Sequence, residues 1–155
     1  MSLEEQDRTL WDRSLIQVGF KALAQCLGGT TLSRYHYEAR IAAEHAVSPS
    51  ITQTNWGAIA EHYQNLNAVL ALPTLQLNRL VALAFAGNAG EAWQAFQGIK
   101  PTLPDSFLVA SVEATLLEKK GQSLLALGAW RRAASLSQSR SEKACILRKI
   151  KKLDK

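Results

Sequence analysis

The sequence predicts an all-α fold of about eight helices arranged as antiparallel pairs, and three observations carry that prediction. Apolar residues recur at the i, i+3, i+4, i+7 spacing of amphipathic helices through most of the 155 residues, and no segment alternates as a half-buried strand would. Capping and stop residues (Asp, Asn, Ser, Gly, Pro) punctuate these periodic runs. Two segments, GNAGEAWQAFQGI from Gly87 and GQSLLALGAWRRA from Gly121, repeat the same pattern, so that Gly87–Gly121, Ala92–Ala126 and Phe96–Trp130 each lie 34 positions apart.

A short turn is expected over Asp7 to Trp11. Asp12 then caps the first long helix, whose apolar line is Leu15, Gly19, Leu23 and Leu27 with Ile16 and Phe20 beside it, and Gly28 and Gly29 stop it. The second helix covers Ser33 to Ala46 and buries Tyr37, Ile41 and His45 or their neighbours; Ser48, Pro49 and Ser50 make a loop. Thr54 or Asn55 caps the third, with Trp56, Ile59, Ala60, Tyr63 and Leu66 on one face. Helices four and five run over Thr74 to Ala86 and Ala89 to Gly98. Pro101 and Pro104 make the next break, and Asp105 caps a sixth helix through Lys119. A seventh spans Gln122 to Ser137. The eighth opens with a capping box, Ser139 to Glu142, and continues through Cys145, Leu147 and Ile150.

A period of 34 is that of the tetratricopeptide repeat, a pair of antiparallel helices. Glycine turns the chain within each pair, alanine lets the backbones approach, and the aromatic four residues on fills the groove between pairs. The expected architecture is a tetratricopeptide-like, right-handed superhelical array in a single domain, 1–155. Residues 1–72 form atypical N-terminal helices, 73–104 and 105–138 two repeats, and 139–155 a basic capping helix. Two repeats alone cannot close a core, so the flanking helices are expected to cover them.

Composition narrows the function class. With 47% hydrophobic and 20% charged residues, and no apolar run long enough to span a bilayer, the chain reads as a soluble globular protein. Its acidic start (Glu4, Glu5, Asp7) is unlike a signal peptide, which points to the cytoplasm. Cys26 and Cys145 lack a CxxC spacing and are expected to be buried free thiols. The net charge of +5 is local. Arg140 to Lys155 holds seven basic residues against Glu142 and Asp154, leaving 11 basic and 11 acidic in residues 1–139. Such a segment is expected to be a solvated helix whose cations suit the negative end of its dipole, with weak, non-specific phosphate contact as the alternative.

No catalytic motif occurs: GxSxG, P-loop and dinucleotide glycine patterns are absent, and GNAG at 87–90 joins helices rather than following a strand. His45 and His62, in AEHA and AEHY, do not have HExxH spacing and read as ordinary histidines. The expectation is therefore no enzyme, cofactor, metal or small-molecule substrate. The tryptophans Trp11, Trp56, Trp93 and Trp130 read as core or inter-helix wedges. Candidate protein contacts are Asn78 and Arg79 in QLNRLVALA, where Asn78 alternatively bonds a loop carbonyl, and the charged N-terminal stretch around Trp11.

That stretch carries a resemblance. EQDRTLWDRSLIQVG (residues 5–19) resembles the EDQDRSRWDRxLIAEG segment of bacterial extracytoplasmic-function (ECF) RNA polymerase sigma factors with a tetratricopeptide-like C-terminal extension. YHYEARIAAEHA (35–46), TNWGAIAEHYQNL (54–66), LNRLVALA (77–84) and SEKACILRKI (141–150) are similar to later blocks of the same extension, in the same order. Asn55 and Gln64 depart from aspartates in that pattern, and Arg40 from a small residue. The resemblance implies an excised regulatory domain, lacking sigma regions two and four, that modulates transcription initiation. Its partners would be the sigma core regions or RNA polymerase, with promoter DNA reached only through the missing regions. It also implies Asp7, Arg8, Trp11 and Asp12 as junction contacts. A free-standing scaffold that binds a peptide in its concave groove is the alternative.

Overall fold

The computed structural model describes residues 5–26 and 32–154. Among them the regular structure is helical throughout: α1 (Arg13–Cys26), α2 (Arg34–Val47), α3 (Trp56–Leu70), α4 (Pro73–Phe85), α5 (Ala89–Ile99), α6 (Phe107–Lys119), α7 (Ser123–Leu136) and α8 (Arg140–Leu153). Short 3-10 turns lie at Arg8–Leu10, Ile51–Gln53 and Lys100–Thr102. The expected stop at Gly28 and Gly29, and the place of Leu27, lie outside the described residues. Contacts divide the chain into two compact units, Ser2–Arg79 and Leu80–Lys155, and α4 runs through the boundary between them.

In the first unit, α3 supplies most of the core. Ile59, Ala60 and Leu66 are buried on one face, with Trp56 at the start donating its indole N–H to the Ile51 carbonyl at 2.9 Å. Asn55, not Thr54, is the cap, its side-chain oxygen accepting from the Ala58 N–H at 3.1 Å. Thr54 is instead buried and donates to the Ser50 carbonyl. Asp12 caps α1 as expected, accepting from the N–H groups of Ser14 and Leu15. At the start of α2, the Ser33 N–H donates to His36 Nδ1 at 3.0 Å, while His36 Nε2 donates to the Cys26 carbonyl at 3.2 Å. One ring thus ties the end of α1 to the beginning of α2. The role rests on the neutral Nε2–H tautomer, the form that satisfies both bonds.

In the second unit α6 and α7 pack along their length. Ala110, Ala114 and Leu117 meet Ala126, Ala129, Trp130 and Ala133, and Ile146 of α8 joins the same cluster. Two alanines of α6 and three of α7 permit the close approach. Trp130, 4% exposed, fills the remaining space and donates its N–H to Glu118. Burial of side chains of this size contributes roughly 1.5–3 kcal/mol each.

The 34-residue offset recurs in the backbone. Gly87 and Gly121 both have positive φ, +95° and +74°, a region that glycine enters without the clash an L side chain suffers. At both turns the N–H of the next residue closes back on a leucine carbonyl, Asn88 on Leu83 at 3.0 Å and Gln122 on Leu117 at 2.9 Å. These are the helix-terminating bonds of the Schellman motif. Ala92, Phe96 and Ala126 are fully buried, so the repeated small and aromatic positions are packing positions.

Several local expectations are corrected. Ser106, rather than Asp105, caps α6, and the Asp105 carboxylate pairs with Arg132 at 2.7 Å. The capping box of α8 is half made: Ser139 Oγ accepts from the Glu142 N–H, but the Glu142 carboxylate takes the hydroxyl of buried Ser137, whose oxygen accepts from the Ser139 N–H. Both cysteines are free but neither is buried, Cys26 being exposed and Cys145 half-buried. Leu15, placed on the inward line of α1, is 69% exposed.

Candidate functional site

The N-terminal stretch QDRTLWD folds as a strap built from its own side chains. Asp7 accepts from the hydroxyl and the N–H of Thr9 at 2.6 and 2.9 Å, which fixes the 3-10 turn and holds the exposed Asp7 carboxyl below its ordinary pKa. Arg8 turns inward and is 3% exposed. Its Nη1 donates to the carbonyls of His45 and Ser48, both at 2.9 Å, and to Thr54 Oγ1 at 3.2 Å. The guanidinium lies 5.2 Å from the centroid of the Trp11 ring. A planar cation is suited to such a site, because its donors reach several carbonyls while its face stacks on an aromatic ring. Asp7, Trp11 and Asp12 are therefore exposed or half-exposed residues of the strap, and Arg8 is its internal anchor.

His45 follows from this anchor. Its ring meets Trp56 edge-on with centroids 5.3 Å apart, and its Nδ1 is buried without a hydrogen-bond partner. Burial first, and the Arg8 cation second, hold the His45 pKa below the ordinary histidine value. His62 is lowered as well, by burial and by Arg40, against the opposing pull of Glu44 and Glu61. Both rings thus favour the neutral form. No group of His, Cys, Asp and Glu among the described residues is arranged to hold a metal ion.

Helix α1 is the least covered element. None of its residues is buried. Ile16, Phe20 and Leu23 are half-buried and, with Gly19, form one wall of a groove of about 230 Å³ whose other wall is the alanine row Ala39, Ala42, Ala43 and Ala46 of α2. Leu15 and Val18 face solvent at 69% and 63% exposure, with Leu10 at 82% in the strap. The apolar arc of α1 is wider than the groove it forms with α2, Leu15 and Val18 lying outside that groove. The sequence marks the arc, but only the tertiary packing reveals which part of it is left uncovered.

The α4 candidates separate. Asn78 hydrogen-bonds the Tyr63 hydroxyl, so its partner is a side chain and not a loop carbonyl; burial raises the Tyr63 pKa and this bond partly offsets the rise. Arg79 is half-buried, and its Nε is a buried donor without a partner. The second unit has two grooves that no motif signalled. One, of about 410 Å³, is lined by Trp93, Leu117, Leu124, Leu125, Gly128 and the charged pair Glu113 and Arg132, among others. The other, of about 320 Å³, lies between α6, α7 and α8, with Phe107, Trp130 and Cys145 in its wall and Lys149 at its edge. Arg132 bridges Asp105 and Glu113, and Lys100 pairs with the same Glu113. It is thus part of a network rather than an isolated surface charge.

No protein-family model matches the chain, and no solved structure matches it. Among curated proteins, an uncharacterized protein of Rhizobium meliloti (strain 1021) is similar to it, with 31% identity over 144 residues. The match takes in 93% of this chain and 34% of the relative, so the chain spans about a third of that protein's length. No helix among the described residues is long and apolar enough to cross a membrane.

Proposed function

We propose that this chain is the regulatory C-terminal domain of an ECF-type RNA polymerase sigma factor, acting in the cytoplasm through protein contacts that modulate transcription initiation. The carrying observation is α1, which has no buried residue and a wide apolar arc directly after the QDRTLWD strap. A helix in that condition is completed by another protein surface. The ordered blocks of sequence similarity support the sigma core, or the polymerase that binds it, as that surface. The relative's additional length is consistent with a domain that functions within a longer polypeptide. In this reading Arg8 acts indirectly: it pins the strap, and the strap sets the direction in which α1 presents Leu15 and Val18. Asp7, Trp11 and Asp12 line the approach, while Asn78 and Arg79 serve the interior of α4 and its neighbours.

The test is promoter-dependent transcription by the full-length factor, with and without residues 1–155, alongside a Leu15→Gln, Val18→Gln double variant. Loss of activity on deletion, and a substantial loss in the double variant with the domain still folded, are the expected results. Unchanged transcription after deletion would sink the proposal.

The alternative is a peptide-binding scaffold, favoured specifically by the paired turns at Gly87 and Gly121 and by the 410 Å³ groove beside Leu124 and Leu125. Full activity of the double variant, together with loss in a Gly128→Trp variant that fills this groove, would favour that reading.

A further inference from the structure

We propose that the solvent half of α8 binds the phosphate backbone of duplex DNA, independently of sequence. The inference does not rest on the sigma-factor reading. The whole net charge of the chain is concentrated from Arg140 onward, and the structure makes Arg140–Leu153 of that segment one helix. Ile146, Ile150 and Leu153 of α8 pack against the α6 and α7 core. Arg140, Lys143, Arg148, Lys151 and Lys152 are exposed; at about 100° per residue Arg140, Arg148, Lys151 and Lys152 fall on the opposite half, while Lys143 flanks the packed side. The acids of the segment are already engaged, Glu142 by Ser137 and Asp154 by Arg131.

Helix stability accounts for only part of this charge. Lys151 and Lys152 occupy the last turn, where cations suit the dipole, but Arg140 and Lys143 sit at the opposite end, where cations are disfavoured. Something outside the helix must reward them. From Arg140 to Lys152 the helix advances roughly 18 Å, the axial length of about five base pairs. An anionic bilayer fits less well, because the apolar side of α8 is occupied by the core and cannot enter the headgroup region. An acidic protein fits less well, since Leu147 is the only large apolar side chain exposed on α8 among the described residues and protein interfaces are anchored by buried apolar and aromatic groups. Single strands fit less well because α8 has no aromatic residue on which unpaired bases could stack. A polyanion with regularly spaced charges and no need of a pocket matches the surface.

The experiment is fluorescence anisotropy of a labelled 30-base-pair duplex titrated with the 155-residue chain between 50 and 200 mM salt. Contacts to about four phosphates give a log–log salt slope near −3.6, an affinity loss of about 150-fold across that range. A scrambled duplex is expected to bind equally. The triple variant Arg140→Gln, Lys151→Gln, Lys152→Gln is expected to flatten the slope to about −1 and weaken binding by about tenfold or more. Circular dichroism and thermal melting check that this variant folds; if it does not, the salt slope of the unaltered chain still decides. No binding at 50 mM salt, or a slope that the folded triple variant leaves unchanged, overturns the proposal. So does tighter binding to phosphatidylglycerol vesicles, to an RNA duplex or to polyglutamate, each of which would assign the surface to a different partner.

Discussion

The Arg8 guanidinium stands among three acceptors contributed by residues 37 to 46 positions away in the chain. Removing it leaves the His45 and Ser48 carbonyls and Thr54 Oγ1 without their donor and opens a gap against Trp11. Arg8→Ala is therefore expected to destabilise the first unit by about 2–3 kcal/mol, with Arg8→Lys recovering only part of the loss because an ammonium lacks the planar face that lies against Trp11. Urea unfolding followed by tryptophan fluorescence measures both, and an alanine variant as stable as the parent would show that the anchor is dispensable. His45 and His62 give a pH dependence whose sign follows from their lowered pKa values. The unfolded chain binds these protons more tightly than the native one. Stability is then complete above the ordinary histidine value of 6.5 and falls as pH drops from there through the folded values. Unfolding curves at pH 7.5, 6.5 and 5.5 are expected to show that decline, and a His45→Gln, His62→Gln double variant to lessen it. From the sequence, Arg8 reads as a junction contact and not as an interior anchor, since its three acceptors are distant in the chain and two are backbone atoms. Asp12 and Asn55 could be read as caps because a cap's partner lies within three residues.

At the scale of the helix and its ends, the turns offer a direct comparison. Gly87 and Gly121 have positive φ in matching Schellman turns, so Gly87→Ala and Gly121→Ala are each expected to cost about 1 kcal/mol, and by similar amounts. Ala71 ends α3 with φ of +49°. Glycine relieves that strain, so Ala71→Gly is expected to stabilise the protein by about 0.5 kcal/mol despite the added freedom of its unfolded chain. Within α7, a Cβ at Gly128 would meet nothing within 4 Å, so Gly128→Ala is expected to add about 0.5–1 kcal/mol through helix propensity alone. Differential scanning calorimetry of these variants separates the two signs. Helix ends were legible wherever the stop signal is backbone conformation, as at Gly121. They were less so where neighbouring polar residues compete: Ser106 displaces Asp105 because the latter's carboxylate finds Arg132, 27 residues further on. Ser137 interrupts the Ser139–Glu142 box for the same kind of reason.

The whole molecule consists of two compact units joined through α4. His45 and His62 both belong to the first, so acidification is expected to loosen one unit selectively. Hydrogen exchange at pH 5.5 against 7.5, corrected for the intrinsic rate, should show lost protection in α2 and α3 with α6 and α7 unaffected. Uniform loss along the chain would mean that the two units unfold as one. The sequence by itself determined the helical class, the succession of eight helices and the 34-residue repeat, because periodicity, caps and positive-φ glycines act over distances of a few residues. It also located the excess charge at the C-terminal end. Only the tertiary structure decided that Arg8 is an interior anchor, that α1 leaves Leu15 and Val18 exposed, and that the apolar side of α8 is occupied while Arg140, Lys151 and Lys152 are exposed. Those outcomes depend on which surfaces meet across the fold, and contacts between residues far apart in the chain leave no periodic mark in either partner.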